Sequence, residues 1–305
     1  MSGFILKRAL QSVVSLLALV VLVFFLARAT GSPADLYLPV DASDALKAQF
    51  DALHGFDQPI ATQFWIFLRQ LFALDLGNSL QFSRPALDVV LQAFPTTLAL
   101  AAVTMPLVLT ISILVGSLAA VRPGGLFDRV AGVISLVGAS TPNFWIAIVG
   151  VIVFAVALRW VPTSGTGTPL HWILPVAVLC LRPTGVLIQV VRSSMMTALS
   201  SDYVKTAKAR GASGRAIVFI HSLRNALLPV ITVASDQLAG IVNGAVVVET
   251  VFGFPGIGKL MIDSVLMRDF SVIQAAVLVT ALTVFTINIL VDLAYALIDP
   301  RIRYS

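Results

Sequence analysis

Residues 202–229 read DYVKTAKARGASGRAIVFIHSLRNALLP. Lys205, Lys208, Arg210, Arg215 and Arg224 lie inside this stretch, Arg192 lies just upstream, and long apolar sequence flanks it on both sides. A short basic segment between two apolar runs has the composition of a loop projecting from a membrane. Ala207-x-x-x-Gly211 sets small residues on one helical face, and glycine's tolerance of positive φ makes Gly211 a helix stop. Ser213 is placed to cap a second helix starting near Gly214. The expected local structure is two short helices meeting at a Gly turn, a small basic knob offered to a partner.

Composition supports the membrane reading. Charged residues make up 11% of the 305-residue chain, hydrophobic ones 58%, and the mean hydropathy is +0.96. An ordinary soluble domain is about 25% charged, so this chain could not coat a water-facing surface. The length suits about six spans of roughly 20 residues. The apolar runs are continuous rather than alternating, which indicates helices and not a barrel. Net charge is +5, but the basic residues gather at span ends, facing anionic headgroups, so the bilayer and not nucleic acid accounts for them. Cys180 is the single cysteine and sits inside a span, so no disulfide is available.

Lys7 and Arg8 precede an apolar run from Ala9 to Ala27. Ala27-Arg28-Ala29 resembles a leader cleavage site, yet the run exceeds the roughly 7–15 residues of a signal core. Residues 1–29 are therefore expected to be an uncleaved first helix with its N-terminus in the cytoplasm. Residues 30–94 carry seven Asp against Lys47, Arg69 and Arg84 and read as a small exterior cap. Short helices are expected there at Asp44–Phe50 and Gln63–Phe72, the second placing Phe64, Trp65, Phe67 and Phe72 at the bilayer interface. Residues 95–305 hold five more spans, near 96–121, 130–157, 172–191, 226–248 and 273–297. Pro106, Pro142 and Pro175 mark kinks or helix starts. Gly116, Gly132, Gly138, Gly150, Gly240 and Gly244 offer small contact faces. With the N-terminus inside, twelve Lys and Arg fall on the cytoplasmic side and seven outside, so both termini and the 200–225 loop are assigned to the cytoplasm.

Ionisable groups within spans are functional candidates. Arg182 and Asp236 both fall about 15 Å from the cytoplasmic boundary at ~1.5 Å rise per residue. Two readings stand: an ion pair clasping two helices, or the lining of a polar substrate path. Gln189, Asn243 and Asn288 are weaker candidates for the path, and Asp292 and Asp299 cap the inner end of the last span. His54, His171 and His221 fall in three separate regions without ligand spacing, so no metal site is expected. Ser193-Ser194 and Ser200-Ser201 have no base nearby, and no hydrolytic constellation is visible. Gly253-x-x-x-x-Gly258-Lys259 approaches a nucleotide-binding loop, but Leu260 stands where a Mg²⁺-binding hydroxyl belongs, and the segment is assigned outside. An intramembrane enzyme would need paired groups at matching depth, and Arg182 with Asp236 is the one such pair; a non-transport membrane scaffold is the other alternative.

Asp202-Tyr203-x-x-Thr206-Ala207-x-Ala209-x-Gly211, followed by His221-x-x-Arg224-Asn225-Ala226-x-x-Pro229, resembles the EAA loop of ABC-importer permeases, in the form used by the dipeptide, oligopeptide and nickel family. The general loop begins Glu-Ala-Ala where this chain has Lys205-Thr206-Ala207. Further motifs resemble the same family in order: Leu74-x-Leu76-Gly77-x-Ser79, Gly124-x-x-x-Asp128, Pro142-x-Phe144-Trp145, Arg192-Ser193-Ser194-Met195, Glu249-Thr250-x-Phe252-x-x-Pro255-Gly256-x-Gly258 and Asp299-Pro300-Arg301-Ile302-Arg303. The long first exterior loop resembles that of the B-type permease.

The resemblance implies an all-α type I ABC importer permease fold with six transmembrane helices, in a bacterial inner membrane. It implies that Asp202, Tyr203, Thr206, Ala207, Ala209, Gly211, Arg224 and Asn225 dock in a groove of a cytoplasmic ATPase. Glu249, Phe252, Pro255, Gly256 and Gly258 would lie near an exterior mouth. The implied partners are a second homologous permease, two ATPase subunits that bind ATP and Mg²⁺, and an exterior solute-binding protein; this chain itself would hold no cofactor. The solute would be a dipeptide, oligopeptide, nickel chelate, glutathione or related compound.

Overall fold

A peptide group in hydrocarbon has no water to bond, so a chain this apolar must close its hydrogen bonds within helices. The computed structural model describes residues 2–298, and these are all-helical apart from loops and one isolated antiparallel bridge between Asn78 and Pro85. Asp299, Arg301 and Arg303 lie outside the described residues, as do the side chains of Lys7, Arg8 and Asp292.

Helix α1 covers Ser2–Ala29, and three short helices follow it: α2 (Ala34–Tyr37), α3 (Asp44–His54) and α4 (Ile60–Phe72). Next come α5 (Ala86–Val121), α6 (Leu126–Ser140) and α7 (Asn143–Gly150), the last extended in π-helical form over Val151–Ala157. Helix α8 runs Leu170–Leu199 and α9 Asp202–Ala209. A single turn, α10 (Gly214–Ala216), leads through a π-helical stretch into α11 (Leu223–Phe252); α12 (Ile257–Leu266) and α13 (Phe270–Ile298) complete the order. Among the described residues four helices are long and apolar enough to cross a membrane: Ala86–Val121, Leu170–Leu199, Gly214–Phe252 and Phe270–Leu290. The stretch expected as one span over 130–157 is instead the pair α6 and α7, bent by 100°; counted as one span it brings the number to five. The break has a local cause: Pro142 excludes helical backbone at the preceding residue, and Thr141 is extended at φ −86°, ψ 130°. Residues Val13–Ala29 of α1 form a shorter apolar helix.

Two compact units emerge, residues 1–96 with 255–285 and residues 97–254 with 286–305, and the segment of residues 30–94 falls within the first. In the first unit it is fastened by Arg268 and Asp269. Asp269 is fully buried and accepts from the Ser79 hydroxyl at 2.5 Å, the Gln81 amide at 3.2 Å and the Val272 amide at 3.4 Å, the last capping α13. Arg268, forced to φ 50°, donates to the Ser32 carbonyl at 2.7 Å and lies 3.6 Å from Asp35. Lys47 bonds Asp35 at 3.0 Å and, with a smaller contribution from Arg268, holds that carboxyl below its ordinary range. The aromatic stripe of α4 is divided: Phe67 and Phe64 turn inward onto Phe24 of α1, centroids 5.2 and 5.1 Å away, while Trp65 and Phe72 remain exposed. The interfacial placement expected for all four therefore fits only the exposed half.

In the second unit α8 is central, packed against α6 and α11. A Cβ added at Gly185 would stand 2.4 Å from the Ser135 carbonyl oxygen of α6, and one at Gly116 of α5 would stand 2.7 Å from Val191 Cβ. These contacts need glycine because backbone cannot retreat. Gly132 and Gly240, expected as contact faces, have nothing within 4 Å, so their open faces make no close contact within the chain.

Candidate functional site: the loop at 202–222 and the polar helix faces

Helix α9 ends as its sequence dictates. Gly211 takes φ +81°, its amide donates to the Lys208 carbonyl at 3.0 Å, and the Ala212 amide reaches back to the Ala207 carbonyl at 3.1 Å. This pair of bonds satisfies carbonyls the last turn would otherwise leave open. No atom lies within 4 Å of a Cβ built on Gly211, so φ and not crowding demands glycine there. Ser213 then accepts from the Ala216 amide at 3.3 Å and starts the next helix. Val204 alone of α9 is buried; Asp202, Tyr203, Lys205, Thr206, Lys208 and Ala209 are exposed and Ala207 half-exposed, with Asp202 paired to Lys205 at 2.8 Å.

The second expected short helix is not separate. From Gly214 the chain passes through the π-helical residues Ile217–Ser222 and continues unbroken to Phe252. Nothing between Ser213 and Pro229 stops a helix, and Pro229, which lacks an N–H, falls about two turns beyond the widened stretch. The loop is thus one short helix hinged at Gly211 onto the end of a span. Arg224 and Asn225 stand exposed near the start of α11.

Further along, α11 exposes Thr232, Asp236, Gly240, Asn243, Val247 and Thr250, at intervals of three and four residues that make one face. Its opposite face buries Val230, Ala234, Ile241 and Val248. Helix α8 likewise exposes Arg182, Gln189, Ser193 and Thr197. Helix α5 exposes Leu98, Val103, Leu107, Ile111, Leu114 and Leu118. The contrast sorts the surface: α5 presents hydrocarbon, and α8 and α11 present polar groups. Arg182 and Asp236 are both on these polar faces, and no ion pair joins them; Asp236 accepts only a long 3.4 Å bond from its neighbour Gln237. Both side chains are exposed, and among the described residues neither takes part in an ion pair. Asn288 is also exposed.

The segment expected near an exterior mouth has most of its side chains buried within the chain. Glu249 is fully buried and accepts from the Thr97 hydroxyl at 2.6 Å. Phe252 and Phe254 are buried, the latter edge-on to Trp172 at 5.1 Å, and Gly253 ends α11 at φ +67°. Gly256 and Gly258 are buried as well, leaving Pro255 exposed. Burial follows from the two Phe side chains, which take this turn into the core. Lys259, the residue that would have faced phosphate, pairs with Asp263 one turn on. Among the described residues no group of three His, Cys, Asp or Glu could hold a metal.

The family model for the binding-protein-dependent transport system inner membrane component matches residues 112–304, and the model for the N-terminal part of such membrane components matches residues 1–101. The chain belongs to this family of transport permeases. It is 35% identical to a protein of Brucella abortus named as a peptide transport system permease, over the full length of both chains. It is 38% identical, again over both full lengths, to the glutathione transport system permease protein GsiC of Pectobacterium atrosepticum. In fold it is similar to the MetNI methionine ABC transporter in inward-facing form, with TM-score 0.60, 17% identity, 69% of this chain and 96% of that chain covered. An amino acid ABC transporter gives TM-score 0.51 at 16% identity, with 68% and 93% covered. The permease is a multi-pass membrane protein of the ABC importer class, a class built for transport and not catalysis, which works with ATPase subunits.

One feature of the permease went unread in its sequence. Asp128, buried near the start of α6, accepts from Arg192 of α8 through both Nε and Nη2, the latter at 2.8 Å, and from the Gly124 amide at 2.8 Å. A fork-to-fork pair of this kind fixes orientation as well as distance. Both residues stand in the family-like motifs quoted above, 64 positions apart. Asp128→Asn and Arg192→Gln are each expected to lower the thermal unfolding midpoint in detergent, and the double variant to lower it by less than the sum. Additive losses, measured by tryptophan fluorescence on heating, would contradict the pairing.

Proposed function

We propose that this permease imports short peptides or glutathione-like solutes, and that the polar faces of α8 and α11 line its half of the path. The observation that carries the reading is the contrast between faces. An exposed Arg182, Asp236 and Asn243 at membrane depth would be costly against lipid, so they face a water-filled path or the second permease that completes it. The apolar outer face of α5 is what lipid requires. The two relatives named for peptide and glutathione transport support the solute class.

In this account the chain makes six spans in a bacterial inner membrane, with α1 as the first, the bent α6–α7 pair as the third, and both termini in the cytoplasm, following the excess of basic residues there. Two ATPase subunits sit beneath this chain and its homologous partner, and an exterior binding protein delivers solute. The α9 knob, exposed on all but its Val204 side, docks in an ATPase groove. Closure of the ATPases on ATP moves the knob, and because Gly214–Phe252 is one continuous helix, the motion reaches the polar face of α11 directly. The access of that face to inside and outside then alternates.

Two outcomes test this. The double variant Arg182→Ala, Asp236→Ala is expected to cut solute uptake in proteoliposomes by at least about tenfold, a loss of roughly 1.4 kcal/mol, with assembly intact; wild-type uptake would exclude these residues from the path. Gly211→Pro, whose ring fixes φ near −65°, cannot form the turn. It is expected to abolish solute-stimulated ATP hydrolysis while leaving the chain inserted, and unchanged stimulation would remove the coupling role.

A further inference from the structure

The first unit encloses a polar cavity of about 620 Å³, bounded by the end of α1, the loop before α4, the stretch after it, and the start of α13. Two residues of its lining carry a donor that no protein atom matches. Arg28 lays its guanidinium on the Phe24 ring, 3.9 Å from the centroid, and gives its Nε proton to Gln63 at 2.9 Å, but its buried Nη1 has no partner. Gln274, nine-tenths buried, has its Nε2 equally unpartnered. Gln63 cannot turn to help, because its own amide already donates to the carbonyls of Phe56 and Gln58. Asp269 is not available either, being taken up by Ser79, Gln81 and Val272.

A half-buried guanidinium and a buried amide, each with an unmatched donor, are complementary to an oxyanion, which accepts several bonds and neutralises the charge. At the lining Asp75 is exposed, with one oxygen accepting the Gly77 amide at 2.9 Å, and it supplies the opposite charge. We infer that this cavity binds a zwitterionic group, its carboxylate or phosphate held by Arg28 and Gln274 and its ammonium by Asp75. That chemistry is common to a free peptide and to a phosphatidylethanolamine headgroup. The site is argued from the cavity alone and stands whether or not the permease imports peptides.

Native mass spectrometry of the full chain in neutral detergent separates the sources, with dialanine, dialanine amide and phosphatidylethanolamine as probes. Retention of dialanine but not its amide identifies a solute carboxylate; retention of phosphatidylethanolamine alone identifies a lipid. In either case Arg28→Met is expected to weaken retention at least tenfold and Asp75→Asn severalfold. Asp75 is exposed, so its variant keeps the test decisive should Arg28→Met fail to fold. No probe retained at millimolar concentration, with water alone filling the cavity, overturns the proposal, as does wild-type retention by Asp75→Asn together with any folded Arg28→Met.

Discussion

Polar groups buried in the protein or held at membrane depth must find a partner or water, and in this permease that requirement sorts almost every element. Backbone amides find their partners within helices. Asp269 finds Ser79, Gln81 and Val272, and Glu249 accepts from Thr97. Asp128 finds Arg192. Arg182 and Asp236 find neither an ion pair with each other nor burial. Side chains so placed need water or another subunit beside them, and they lie on the faces of α8 and α11 that carry other polar residues. The chain therefore presents two kinds of outer surface, one apolar and one carrying polar side chains.

The second constraint is mechanical. Gly211 permits a turn that no L-residue adopts comfortably, and beyond it Gly214–Phe252 is one helix. A knob attached to a free-standing second helix would transmit little, whereas a knob hinged on the end of a span displaces the span. At the same end α8 is held to the start of α6 by Asp128 and Arg192, and along its length by glycines that admit backbone at contact distance. In the proposed mechanism α8 is thus anchored where α11 is driven, which gives relative motion between the two polar faces a physical basis.

Much of this could be read from residues in order. Gly211 and Ser213 announced their turn and cap because both are local: the φ and the capping bond involve neighbours within a few positions. The all-helical, apolar character of the chain was equally plain. The 100° bend at Thr141 and Pro142 was not, since a proline in a span permits anything from a slight kink to a break, and packing decides. The Asp128–Arg192 and Ser79–Asp269 pairs join residues 64 and 190 positions apart, and no periodicity encodes such distances. The burial of Glu249 and Phe252 was not legible, because their motif says where a turn is and not which way its side chains point. The stripe on α11 is a different matter. Thr232, Asp236, Gly240, Asn243 and Thr250 already recur at helical spacing in the sequence, so depth alone need not have paired Asp236 with Arg182.

The central claim, that the polar faces of α8 and α11 border water in the assembled transporter, is tested most directly by single cysteines in a chain whose Cys180 is replaced by Ser. Positions 189, 236 and 243 on those faces would be compared with 107, 111 and 118 on α5, using a charged, membrane-impermeant thiol reagent with and without ATP. The account predicts modification at the first three, changing with nucleotide, and protection at the α5 positions throughout. Protection of 189, 236 and 243 in every state, or equal labelling of α5, would contradict it.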